Sequence, residues 1–184
     1  MSERFRFSLS EEEKSYHIDL VRRSIAEGLE GRNEGPPAPP TETLKAHLGA
    51  FVTLKQRGEL RGCIGHVIGD RPVFETVWEM AQQAAFRDPR FPPVSEAEFP
   101  GLDIEISILS PLMPCPDLSA IEPGRHGLLV LRTPRSGLLL PQVASEYGWD
   151  RETFLCHTCL KAGLPQDAWR DPTTSVYWFE AEVF

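Results

Sequence analysis

Long apolar runs are missing from this sequence: nothing approaches the roughly eighteen consecutive apolar residues that a membrane-spanning helix needs. The opening MSERFRFSLSEEEK carries charges where a secretory signal requires an apolar block. These absences lead us to expect a soluble, cytoplasmic protein with no membrane partner. Cysteine is sparse, four in 184 residues. Without an export signal, these side chains are expected to stay thiols rather than form a disulfide framework. Cationic residues are in deficit, 19 Lys and Arg against 27 Asp and Glu, for a formal net charge of -8. The cations are also scattered, and the Arg22-Arg23 pair reads as a solvated helix face. Nucleic-acid affinity comes largely from neutralising phosphates, so no nucleic-acid partner is expected. The sequence also lacks GxxxxGK[ST], GxGxxG, HExxH and GxSxG patterns, which argues against the enzyme classes built on them. No cofactor is expected.

What is present is enough apolar residue, 41%, to bury the core of one ordinary domain. Ser10 and Glu13 make a capping box, and Ile18, Val21, Ile25 and Leu29 follow at helical spacing up to Gly31. The segment 31–41, GRNEGPPAPPT, reads as a proline-rich surface connection, because its prolines remove amide donors and fix φ. Residues 50–55 and 59–64 alternate around Gln56-Arg57-Gly58, which predicts a β-hairpin. Asp70 is placed to cap a helix whose buried stripe is Val73, Val77, Met80 and Ala84. A strand is expected over 102–109, a loop over 110–126, and a second hairpin from GLLVLR, TPRS and GLLL. Pro141 opens a helical region, Asp150 caps a helix from Arg151 to Ala162, and residues 176–184 read as a closing strand. Hairpins with segregated helices predict an α+β fold with a largely antiparallel sheet, not a doubly wound one.

Candidate chemistry gathers at LRGCIGH, residues 60–66. Strict alternation places Glu59, Arg61 and Cys63 on one face and Leu60 and Ile64 on the other. Cys63 is then either a nucleophile or ligand-contacting thiol with Arg61 as its charge partner, or a small packed thiol under a glycine bend. His66 is a candidate base for Cys63, but three residues along an unbroken strand is the opposite face, so Gly65 must introduce a bulge. Gly62 and Gly65 are read as making room for a ligand. On that reading, Gly62→Val leaves the fold largely intact and affects binding more. Arg90, Glu105 and Ser107 are further ligand-binding candidates, with an internal ion pair joining Arg90 or Arg61 to Asp88 or Glu105 as the structural alternative. Cys156 and Cys159 form a CxxC inside a helix, either core-facing or half of a metal site completed by Cys63, Cys115 or histidines. The first account is favoured, and no metal is assigned. Lys161 is read as facing its own helix C-terminus.

The motifs LRGCIG, AAFRDPRFPP (84–93), EISIL (105–109), HGLLV (126–130), LLLPQVA (138–144) and CLKAGLPQDAW (159–169) together resemble the AMMECR-type domain family. The resemblance spans nearly the whole chain, 1–184, as a single such domain. It implies two unequal, intertwined subdomains around a cleft, with the RGCIG segment beside it, and no known reaction. It also implies possible association with a Memo-like protein and a radical S-adenosylmethionine protein. Two functions are therefore carried forward. One is an enzyme or enzyme component binding a small anionic molecule in the cleft with Cys63 as reactive thiol. The other is a non-catalytic module for a Memo-like or radical S-adenosylmethionine partner.

Overall fold

A computed structural model describes residues 7–184, so part of the charged opening read for a targeting signal, MSERFR, lies outside the described residues. Among the described residues no helix is long and apolar enough to cross a membrane. The chain forms two compact units: the first ends at Leu109 and takes in Glu182–Phe184, and the second is Ser110–Ala181. Strand pairing is antiparallel in each. Helices and strands do not alternate as βαβ, and the fold is α+β as expected.

In the first unit, α1 (Glu11–Leu29) starts at the capping box, with the Glu13 amide donating to Ser10 Oγ and the Ser10 amide to the Glu13 carboxylate. Val21 and Ile25 are buried as expected, while Ile18 and Leu29 pack at the margin and His17 and Ser24 join the buried stripe. Ser24 is tolerated there because its hydroxyl donates to the Trp78 carbonyl at 2.8 Å. His17 finds less: Nδ1 lies 3.1 Å from the Glu13 carbonyl, and Nε2 has no hydrogen-bond partner among the described residues.

The hairpin joins β1 (Gly49–Gln56) to β2 (Glu59–His66) by a turn shorter than the sequence suggests. Gln56 pairs with Glu59, leaving Arg57 (φ 54°) and Gly58 (φ 81°) as the turn. Two positive φ angles match the twist of the flanking strands. The register then slips, since Leu60 pairs with Lys55 but Gly62 pairs with Leu54, and Arg61 is the bulged residue. The expected alternation fails at this point: Leu60 and Cys63 now share a face. β3 (Leu102–Leu109) lies along the other side of β1, and Phe184 exchanges both backbone hydrogen bonds with Ile106.

One face of this sheet presents Ala50, Val52, Leu54, Ile106 and Ile108, all buried in a core shared with α1 and with α2 (Val73–Phe86). Each large apolar side chain removed from water contributes about 1.5–3 kcal/mol. The cap position of α2 falls on Pro72, one residue before its start, so Asp70 is too early to cap it and no side chain does. Small residues Ala81, Ala84 and Ala85 let the helix come close to β2. The closest approach is at Gly62, where a Cβ would lie 2.2 Å from the Ala84 carbonyl oxygen. Backbone cannot rotate away, so Gly62 provides room for the helix and not for a ligand.

The second unit pairs β4 (Met113–Pro114), a short strand inside the segment expected to be a loop, with β7 (Ser175–Val183). β5 (His126–Arg132) lies between β7 and β6 (Arg135–Leu139). A short α3 (Pro141–Glu146) precedes α4 (Arg151–Lys161), which Asp150 caps by accepting from the Thr153 amide at 2.8 Å. Phe154, Leu155, Leu128 and Trp178 form part of its core, and Cys159 packs with Val130 and Leu164.

Gly62→Val should destabilise the protein by at least ~1–3 kcal/mol in urea denaturation, the cost of overpacking against backbone. Gly101→Ala, where a Cβ meets nothing within 4 Å, should change stability by less than about 0.5 kcal/mol. Burial pushes the His17 pKa down from 6.5 to about 4. The unfolded chain therefore binds the extra proton first, and stability falls as pH drops through that window. His17→Leu should flatten the dependence, losing up to ~3 kcal/mol less than wild type between pH 7 and 4; equal slopes would contradict this account.

Candidate functional site

Cross-strand register builds the polar face around Cys63. Glu105, Thr53 and Cys63 lie side by side on β3, β1 and β2, and Ser107, Phe51 and Gly65 form the adjacent row. The polar side chains of β2 and β3 therefore come together across β1. Thr53, which is not among the candidates drawn from the sequence, donates its hydroxyl to Cys63 Sγ at 3.2 Å. Glu105 takes the Lys55 ammonium at 2.9 Å, and Ser107 is buried. Gly65 lies under the Phe51 ring, whose nearest carbon would be 2.1 Å from an added Cβ. That glycine accommodates a neighbouring side chain.

The pairing of β2 with β1 is regular from Cys63 to His66, with no bulge at Gly65. His66 stands opposite Ala50, on the face away from Cys63, so the Cys-His pairing is not made. Its Nε2 lies 3.2 Å from Asp70 Oδ1 instead.

β2 is an edge strand, and the segment after α2 completes its hydrogen bonding at Cys63. The Cys63 amide donates to Asp88 Oδ2 at 2.9 Å, and the Cys63 carbonyl accepts from Arg90 Nη2 at 3.1 Å. Arg90 is in turn fastened to Asp88 by its amide at 3.1 Å, Nε at 2.9 Å and Nη2 at 2.7 Å. The Arg90 guanidinium is the main reason the Asp88 carboxyl is held well below the usual carboxylate range; burial opposes it, and the Cys63 and Arg90 amides add to the lowering. The same contact raises the Arg90 pKa, with the Cys63 thiol among the lesser contributors. The Asp88 side chain is 1% exposed and that of Arg90 49%. The cation thus has one edge pinned and the other open to solution.

Arg61, the bulged residue, is buried and directed into a different pair. Its Nε and Nη2 donate to the Glu98 carboxylate at 2.9 and 3.3 Å, and Nη2 also reaches the Pro93 carbonyl at 3.4 Å. Nη1 is buried without a hydrogen-bond partner among the described residues. Glu98 further accepts from the Ser95 amide and hydroxyl. These donors, Arg61 first, lower its pKa to about 2. Both guanidinium groups lie over the Phe91 ring, Arg61 at 5.9 Å and Arg90 at 5.5 Å from its centroid. Arg90, not Arg61, is therefore the cation bonded to the Cys63 backbone.

Two cavities of the first unit lie elsewhere. One of about 640 Å³ runs between the proline-rich connection and Phe74 and Trp78 of α2, and one of about 350 Å³ is lined by Arg32, Gln82 and Arg87 among others. Cys63 lines neither. Cys156 is half-buried and Cys159 buried on α4, and no group of three or more His, Cys, Asp or Glu among the described residues is arranged to hold a metal ion.

The AMMECR1 family model matches residues 18–184. A protein of Methanothermobacter thermautotrophicus is 44% identical over 183 residues, which cover 96% of this chain and 95% of the relative. Protein MK0488 of Methanopyrus kandleri is 45% identical over 185 residues, 96% of this chain and 89% of its own. The crystal structure of the uncharacterized protein PH0010 from Pyrococcus horikoshii is similar with a TM-score of 0.87 at 40% identity, covering 95% of this chain and 92% of that one.

Breaking the Arg61–Glu98 pair from the carboxylate side leaves a buried cation uncompensated. Glu98→Ala should cost about 3 kcal/mol in urea denaturation. Adding Arg61→Met to that variant should recover part of the loss, because the stranded charge is then gone.

Proposed function

The chain belongs to the AMMECR1 family, and from that premise we propose that it is a cytoplasmic enzyme or enzyme component that binds a small anionic molecule beside Cys63 and uses the thiol as its reactive group. The observation that carries this reading is the convergence on one half-buried cysteine of the Thr53 hydroxyl and the Asp88-fastened Arg90. A thiolate is the nucleophilic form of cysteine, and a donor on the sulfur with a cation nearby accommodates its charge. The open edge of Arg90 supplies donors for the anionic part of a ligand. Glu105 and Ser107 extend the polar face, and Arg61 anchors the loop that carries Arg90.

A second reading is a non-catalytic module for a Memo-like or radical S-adenosylmethionine partner. One observation favours it: the cations Lys55, Arg61 and Arg90 each have a carboxylate partner.

Limited alkylation separates the two. In the native protein Cys63 should react faster than in the unfolded chain, as read by peptide mass spectrometry. Its preference for iodoacetate over iodoacetamide should exceed the unfolded value about threefold, the scale of one screened surface charge. Arg90→Gln should abolish the preference. A Cys63 that reacts no faster than when unfolded, with no preference, removes the thiol reading and leaves the second.

A further inference from the structure

Resting on the thiol site proposed above, we infer that Asp88 is the residue that sets its selectivity for anions, by holding Arg90 against Cys63. The case starts from the edge of the sheet. An edge strand directs alternate N–H and C=O groups away from its single neighbour. At Cys63 no further strand takes them: the Asp88 carboxylate accepts the N–H and Arg90 donates to the C=O. One ion pair substitutes for a strand across one residue. In doing so it registers the guanidinium on the residue that carries the thiol.

Apart from Asp88 and Cys63, the Arg90 guanidinium rests against the Phe91 ring, a weaker hold than a bidentate carboxylate. A long, half-exposed side chain without its carboxylate partner is free to leave the strand edge. Asp88 is also an anion, so its removal has two opposed consequences. Losing placement moves the cation away from the thiol and weakens anion selection. Losing the negative charge, with Arg90 still in place, strengthens it. The sign of the measured change therefore states which role Asp88 has. Nearby charges do not blur this comparison, because Lys55 with Glu105 and Arg61 with Glu98 are unchanged in every variant.

The test uses the full chain and the ratio of iodoacetate to iodoacetamide rates at Cys63 at one pH. Asp88→Asn retains an acceptor for the Cys63 amide. It should lower the ratio about threefold, to that of Arg90→Gln. The Asp88→Asn/Arg90→Gln double variant should fall no further, since with Arg90 gone Asp88 has no cation left to place. An unchanged or increased ratio in Asp88→Asn overturns the inference. Should Asp88→Asn fail to fold, Arg90→Lys keeps the charge but lacks the planar fork that spans Asp88 and the Cys63 carbonyl. A ratio like that of Arg90→Gln supports placement, and a wild-type ratio overturns it. The underlying reading fails separately: a wild-type Cys63 with no anionic preference overturns both, whereas a wild-type preference retained by Asp88→Asn overturns this inference alone.

Discussion

The first unit depends on one close contact, the passage of the Ala84 carbonyl of α2 over Gly62 of β2. No side chain fits between them, so helix and hairpin lock at a fixed height. The consequences run outward along both segments. One residue beyond Gly62 is Cys63, and four residues beyond Ala84 is Asp88, which takes the Cys63 amide. One residue before Gly62 is the bulged Arg61, whose guanidinium meets Glu98. A hydrophobic packing constraint thereby positions polar groups that have no direct influence on it. The small side chains Ala81, Ala84 and Ala85 belong to the same arrangement, because a larger residue on that helix face would hold the backbones apart.

Around the thiol, charge is balanced locally. Asp88 neutralises Arg90, Glu98 neutralises Arg61, and Glu105 neutralises Lys55. Such balance lets guanidinium groups sit beside a sheet without stranding an ion. On the proposed reading, selectivity for an anion would arise from orientation and not from net charge, since the whole chain is acidic. Arg90 and Arg61 divide the work by exposure. The exposed cation faces solution at the strand edge, and the buried one secures the loop, with one nitrogen left without a hydrogen-bond partner among the described residues. Their shared contact with Phe91 couples the two pairs through an aromatic face.

Membership of the AMMECR1 family extends this geometry only as far as the fold. The similar solved structure covers both units at 40% identity. The site reading rests on this chain's own contacts.

Features set by neighbours along the chain were legible in the sequence alone. The Ser10–Glu13 capping box and the Asp150 cap each join residues only three positions apart, and alternation in LDIEISIL reports which side of a strand is apolar. The helical placement of Cys156 and Cys159 followed from signals equally local, the Asp150 cap and Gly163 beyond the last turn. The α+β class was readable because hairpin turns and helix breaks are local. Features requiring two distant segments to meet were not. The bulge at Arg61 is invisible in ELRGCIGH, since only pairing with β1 reveals that Leu60 and Cys63 stand opposite Lys55 and Thr53. Without that slip Thr53 would oppose Gly62, so its hydroxyl had no apparent claim on the thiol. Glu98 lies 37 residues from Arg61, and nothing local selects it over other carboxylates. Gly62 looked like space for a ligand because glycine announces only a missing side chain, and the helix backbone that fills the gap comes from elsewhere. Sequence determined the longer elements and, outside the bulged β2, their apolar faces, because those depend on short-range periodicity. Register and packing distance decided which polar groups reach Cys63, because a one-residue slip or a few ångströms of helix approach redirects every side chain that follows.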